Sequence, residues 1–235
     1  MTTRTAAKYG HLEILKYFHE EGCPWNPKTC EKAATNGHLD CLIYAHENGC
    51  PLNNKSCHEA AINGHLDYLQ YSFEHGCSWD NKWTPIAAAQ NGHSDCFLYL
   101  CENGCTLNEY TCVRLVRSAN LDCLIHFHEN GGRWNKAACY WAAARGYLEV
   151  LKYLHERGCP WDESTCLAAA ANGHLDCLRY AHEEGCPLSW KIYKSVRSQG
   201  GSECLEYLRD NNCPRSYLQE KLSLFFPLKR EYACY

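Results

Sequence analysis

No apolar run in the chain approaches the ~20 residues needed to span a bilayer, so no membrane association is expected. A basic excess is also missing, since 23 Lys and Arg stand against 27 Asp and Glu for a net charge of −4. Nucleic-acid binding normally leaves a basic stripe, so no nucleic-acid partner is expected either. The opening MTTRTAAKYGH lacks the charged-then-apolar pattern of a secretion signal. There is no Gly-rich phosphate loop, no Ser-His-Asp arrangement and no carboxylate pair that stands apart. The expectation is a protein that is not an enzyme and holds no cofactor.

Repetition and cysteine are what the chain has in excess. NGHLDCLRYAHEEGCP at 172–187 returns almost word for word at 36–51 as NGHLDCLIYAHENGCP. The Gly-Cys step recurs at Cys23, Cys50, Cys77, Cys105, Cys159 and Cys186, with Gly132 and Cys213 in the same place after one change each. Successive positions are 27 residues apart, except one interval of 28. That makes eight copies. Fixed-period self-similarity marks a repeat array in which each repeat packs on its neighbours, so length sets repeat number. One continuous domain over 1–213 is expected.

Nineteen cysteines is an odd number, so at least one thiol is free unless it pairs between chains. Seventeen fall in three columns, leaving Cys101 and Cys234 outside. The columns substitute for Ala, Val or Leu, and free cysteine behaves as a small buried hydrophobe. A reduced, intracellular protein follows, because disulfide frameworks belong to small secreted domains. The spacing H-x3-C at His19/Cys23, His46/Cys50, His155/Cys159 and His182/Cys186 invites a zinc reading. A glycine separates each pair across a helix end, however, and the array needs no metal staple. No metal site is expected.

The repeat at 162–188 reads as two helices. Ser164 or Thr165 is placed to cap an Ala-rich helix A that stops at Asn172-Gly173. Leu175, Leu178 and His182 then share one face of a helix B, expected to be the longer of the two. Gly185 ends it, and Pro187 prevents its resumption. After Cys213, Ser216 is placed to cap a last helix within 214–227, with Leu218, Leu222 and Phe225 on one face, and 228–235 is read as a tail.

These residues resemble the ankyrin repeat family. NGHLDCLRYAHEEGCPL follows the family's NGHLEVVKLLLEAGADV, and the sixth repeat, from Arg145 to Leu154, matches best. The family repeat is 33 residues, whereas this one is 27. The missing six fall where the family has its β-hairpin finger, and Thr84-Pro85 is all that remains of its TPLH word. The fold implied is all-α, an ankyrin-like helical solenoid of about eight helix-turn-helix repeats with a C-terminal capping helix. The resemblance also implies that His11, His38, His65, His93 and His174 bridge neighbouring turns by hydrogen bonds. Words such as GCPW and NGHL resemble arrays of giant DNA viruses and protists.

Because a recurring residue has a recurring structural reason, function is sought where the word breaks. Repeat five has Val113-Arg114-Leu115-Val116-Arg117 in place of an Ala-rich helix A, and Ser118-Ala119-Asn120 in place of Asn-Gly-His. Variable helix A and loop positions include Lys55, Asp80, Lys82, Trp83, Glu109 and Trp190. The candidate partner-binding residues are Tyr110, Arg114, Arg117, Arg133, Lys136, Tyr140 and Trp141, rich in the residue types that dominate interfaces. The expected function is an adaptor or scaffold that binds a protein partner, as a cytoplasmic monomer. Alternatives are a structural or virion component of a large DNA virus, and a metal- or redox-responsive Cys/His array.

Overall fold

The computed structural model describes residues 2–26, 28–199 and 202–216. Among the described residues there are sixteen helices and no strand. They fall into two compact units, Met1–Arg133 and Trp134–Tyr235. The first contains α1 (Thr3–Lys8), α2 (Leu12–Glu20), α3 (Thr29–Asn36), α4 (Leu39–Glu47) and α5 (Asn54–Ile62). It continues with α6 (Leu66–Glu74), α7 (Trp83–Gln90), α8 (Ser94–Glu102), α9 (Glu109–Arg117) and α10 (Leu121–Glu129). The second contains α11 (Lys136–Arg145), α12 (Leu148–Glu156), α13 (Glu163–Ala171), α14 (Leu175–Glu183), α15 (Trp190–Gln199) and α16 (Ser202–Asp210). Odd-numbered helices are helix A and even-numbered ones helix B. The expected capping helix and tail lie outside the described residues.

Local chemistry explains the boundaries. Asp162, rather than Ser164 or Thr165, caps α13, its carboxylate accepting from the Ser164 N–H at 2.9 Å. Helix A therefore starts earlier than expected and reaches nine residues, the length of helix B in every repeat. Helices B end in the same way, with Asn212 in place of the glycine after α16. Cys186 N–H bonds to Ala181 C=O at 2.8 Å and Gly185 N–H to His182 C=O at 3.0 Å, a paired closure around a left-handed glycine.

In the first compact unit α1, α3, α5, α7 and α9 stack in succession, and in the second α11, α13 and α15 do the same. Small side chains permit this, with Ala33, Ala34, Ala60, Ala61, Ala88 and Ala89 all buried between helices. Helix B turns in a small-residue face too. In α14 it is Cys177, Leu178 and Ala181 that are buried, while Leu175 and His182 are only half-buried. The expected Leu175/His182 stripe is displaced because α14 packs against α13 on one side and α12 and α16 on others. Truncating a fully buried leucine such as Leu178 costs about 2–5 kcal/mol.

The loops lack a β-finger and are tied by sulfur instead. The Cys159 thiol donates to Asn135 C=O at 3.4 Å and the Cys186 thiol to Asp162 C=O at 3.1 Å. Asn135 and Asp162 are the caps of α11 and α13, so each thiol fastens the end of its repeat to the start of the same repeat. The sulfurs of Cys57 and Cys77 also lie against each other, twenty residues apart in the chain. The early cysteine of a repeat and its post-glycine cysteine lie side by side, as the 3.2 Å between the sulfurs of Cys30 and Cys50 shows.

Candidate functional site

Where the chain keeps both columns, histidine and tyrosine satisfy each other. His19 Nδ1 lies 3.0 Å from the Tyr44 hydroxyl, and His46 repeats this with Tyr71 at 3.0 Å. In the second compact unit His155 meets Tyr180 at 3.2 Å and His182 meets Tyr207 at 2.8 Å. The histidines of the H-x3-C spacing are thus the rungs of a His–Tyr ladder between repeats. Tryptophans cover it, with Trp161 stacked on His155 at 3.8 Å and Trp25 on His19 at 4.8 Å. Burial pushes the thiols of Cys41 and Cys96 up to about 12 and those of Cys105, Cys123 and Cys177 to about 11. Such thiols are not thiolates at neutral pH and are poor nucleophiles and ligands.

The Gly-His words work by contact and not by the hydrogen bonds that the resemblance implies. His11, His38, His65, His93 and His174 each precede helix B without a side-chain capping bond. Instead the imidazoles of His38, His65, His93 and His174 lie against Gly10, Gly37, Gly64 and Gly146 of the preceding repeat. A Cβ at Gly10, Gly37 or Gly146 would sit 2.6 Å from a ring atom, and one at Gly64 closer still.

Repeat five breaks this interlock. Ala119 takes the glycine place at φ 55°, a left-handed conformation that costs a residue with a Cβ about 1 kcal/mol. Asn120 takes the histidine place, donating to the Ser94 hydroxyl at 3.1 Å and accepting from Cys123 N–H at 3.1 Å. With no ring there, Gly92 has open space above it. A polar cleft of about 650 Å³ opens beside Gly92, Ser94, Asn120 and Asp122, against about 320 Å³ for the cleft that includes His65. Gly132 is explained as well, because a Cβ there would strike the carbonyl and ring of Phe127.

At the loop end of the same repeats lies an exposed aromatic pair. Trp83, at the start of α7, and Tyr110, at the start of α9, are each 44% exposed, with rings 5.8 Å apart edge to face. The Lys82 ammonium is 5.1 Å from the Trp83 ring and 5.5 Å from the Tyr110 ring. The Arg114 guanidinium is 5.9 Å and 5.4 Å from the same two rings. Arg114 Nε is buried without an acceptor. Of the candidate residues in the first compact unit, Tyr110 and Arg114 thus meet, while Arg117 is half-buried further along α9 and Arg133 is exposed. Lys82 and Trp83 belong with them, though sequence variability alone did not put them in the candidate set. Their signal was position, since Trp83 stands one 27-residue interval before Tyr110.

In the second compact unit the candidates differ in character. Tyr140 and Trp141 are half-buried and touch edge to face at 5.4 Å. Lys136 pairs with Asp162 at 2.7 Å, and the neighbouring Lys191 pairs with Glu163 at 2.6 Å. The Lys136 ammonium, helped by the Ser164 hydroxyl, holds the Asp162 carboxyl down at about 2.

Comparison with known proteins agrees with the geometry. The family described as "Ankyrin repeats (3 copies)" matches residues 31–111, and that described as "Ankyrin repeats (many copies)" matches residues 139–182. The crystal structure of the human ASB11 ankyrin repeat domain is similar, with a TM-score of 0.61 at 20% identity, over 68% of this chain and 85% of that one. At that identity the likeness concerns the fold. No curated protein matches. Among the described residues no helix is long and apolar enough to cross a membrane. With ankyrin models over more than half of its length and the helix pairs in register, the chain belongs to the ankyrin repeat family.

Proposed function

We propose that the chain is a non-catalytic protein-binding module, an adaptor or scaffold that engages a protein partner through loop tips and helix A faces. One observation carries this reading. Beside a His–Tyr ladder whose polar groups meet between repeats, Trp83 and Tyr110 stand exposed together, under two cations that no carboxylate neutralises among the described residues. Large aromatic residues and arginine are the usual anchors of protein interfaces. Sites of conventional catalysis would need one nucleophile or acid–base pair singled out, and repeated columns single out none. We place the protein in a cytoplasm as a monomer; by its GCPW and NGHL words, that cytoplasm is a protist host's and the source a large DNA virus.

The second compact unit offers its own candidate surface in Lys136, Tyr140 and Trp141, which is more buried and already ion-paired. Affinity purification from the native or infected cell, read by mass spectrometry, identifies the partner. Alanine at Tyr110 and Arg114 is then expected to weaken its binding by more than tenfold with the helical circular dichroism unchanged. A separate variant with alanine at Tyr140 and Trp141 assigns the second surface. Unchanged affinity in both variants would sink the reading.

A further inference from the structure

We infer that the Lys82–Trp83–Tyr110–Arg114 surface takes an acidic peptide segment in which a carboxylate stands next to an apolar side chain. This rests on the protein-binding reading above and adds to it the chemistry of the partner. The argument begins with charge. Three other cations at the starts of helices A are matched: Lys55 lies 3.3 Å from the Glu31 carboxylate, Lys136 2.7 Å from Asp162 and Lys191 2.6 Å from Glu163. Lys82 and Arg114 have no such match among the described residues. The nearby Asp80 carboxylate is committed elsewhere, accepting from the backbone N–H of Lys82 at 3.0 Å and of Trp83 at 2.6 Å.

Geometry supplies the second half. The two cations sit over the same two rings, so the rings hold them in place without neutralising them. Arg114 Nε has no acceptor and is closed to solvent, which leaves the outer guanidinium N–H groups to face a ligand. A guanidinium fork recognises a carboxylate by two parallel hydrogen bonds, and the ammonium on the adjacent repeat adds a second positive charge. The exposed ring surfaces of Trp83 and Tyr110 form the apolar ledge beside them. A phosphate backbone with stacked bases presents related chemistry. Two cations on a chain of net charge −4 make a small target for a polyanion, so the peptide is favoured.

The test uses the full chain and a fluorescein-labelled twelve-residue peptide carrying alternating glutamates, one leucine and one tyrosine. Its Glu-to-Gln counterpart is the neutral control, and a single-stranded oligouridine of the same length is the nucleic-acid control. Fluorescence anisotropy is expected to show the acidic peptide binding at least tenfold tighter than the neutral one, with affinity falling as salt rises. The double substitution Lys82→Glu and Arg114→Glu should remove that tenfold preference. Trp83→Ala should weaken both peptides, and Lys55→Glu should matter less because Lys55 is already paired. Equal binding of the acidic and neutral peptides overturns the proposal, as does tighter binding of the oligouridine lost in the same double variant. A cellular partner whose capture depends on Trp83 and Tyr110 but not on Lys82 or Arg114 overturns the acidic chemistry and leaves protein binding standing. Circular dichroism of each variant confirms folding, and Arg114→Lys, which keeps charge but loses the fork, provides a second reading if the double variant fails to fold.

Discussion

Repeats two to four and repeat five of the first compact unit use the same helix pair to different ends. In the regular repeats each turn is locked to the next by a histidine ring over a glycine, and the helices B of repeats two and three are joined by the His46–Tyr71 bond. Repeat five lacks the histidine ring at its turn. Asn120 substitutes a small polar contact for the ring, Ala119 holds a backbone shape suited to glycine, and a cleft opens. On the other end of the same repeats, Trp83 and Tyr110 come to the surface with cations above them. Regularity here serves packing. Side chains outside that packing, at the break and at the starts of α7 and α9, are the ones available to a partner.

The largest expected effect tests the interlock directly. Gly64→Ala must place a Cβ into the His93 ring and also hold alanine at φ +76°, so a loss of about 2–4 kcal/mol in urea unfolding is expected. Gly92→Ala meets no neighbour within 4 Å at φ +86° and should cost about 1 kcal/mol, the conformational part alone. Equal losses would show that the ring contributes nothing and that the two turns do not differ. Next in size, Tyr71→Phe removes the hydroxyl that meets His46 and should cost about 1 kcal/mol, whereas Trp83→Ala on the exposed surface should stay within about 0.5 kcal/mol. Were Trp83→Ala as costly as Tyr71→Phe, Trp83 would be a packing residue and not a partner residue. A gain is expected from Ala119→Gly, about 0.5–1 kcal/mol in thermal or urea unfolding, because the native φ of 55° suits glycine. A loss there would mean that Ala119 makes contacts worth more than its strain.

Much of the fold was legible because its signals are local and repeated. A 27-residue interval, Ala-rich segments and glycine turns dictate helix pairs without reference to any distant residue. The break at Ser118-Ala119-Asn120 was legible for the same reason, as a departure from a known word. Side-chain direction was not. The interval puts Trp83 and Tyr110 in one column, yet their neighbours Thr84 and Thr111 are buried while they themselves are exposed. Which way a residue at a helix start points depends on the cap, and the cap of α13 was misread by the difference between Asp162 and Ser164. The histidines failed differently. A Gly-His word marks an address, and whether the imidazole bonds or simply packs depends on the glycine of the preceding repeat, twenty-eight or twenty-nine residues away. The Cys57–Cys77 contact was hidden too, since twenty residues of separation say nothing until Cys57 on α5 meets the loop after α6.

The smallest effect sharpens the contrast between the paired and unpaired cations. Lys136 holds the Asp162 carboxyl at about 2, below its ordinary 3.8, so the folded state prefers the ionised form more than the unfolded chain does. A depressed value of this kind contributes stability in full above pH 3.8 and loses it as pH falls through 2. Both partners face solvent, so screening limits the contribution to less than about 1 kcal/mol. Lys136→Met should raise the carboxyl toward 3.8, although Asp162 keeps its place as the α13 cap and the Ser164 hydroxyl still restrains it. The NMR titration of Asp162 reads this shift directly, and the difference in melting temperature between variant and parent should shrink between pH 4 and pH 2. Arg114→Met has no carboxylate partner to release among the described residues, so its difference from the parent should not change over the same range. If it did change, Arg114 would be paired in solution, and the two cations on the aromatic pair would no longer be waiting for an acid from elsewhere.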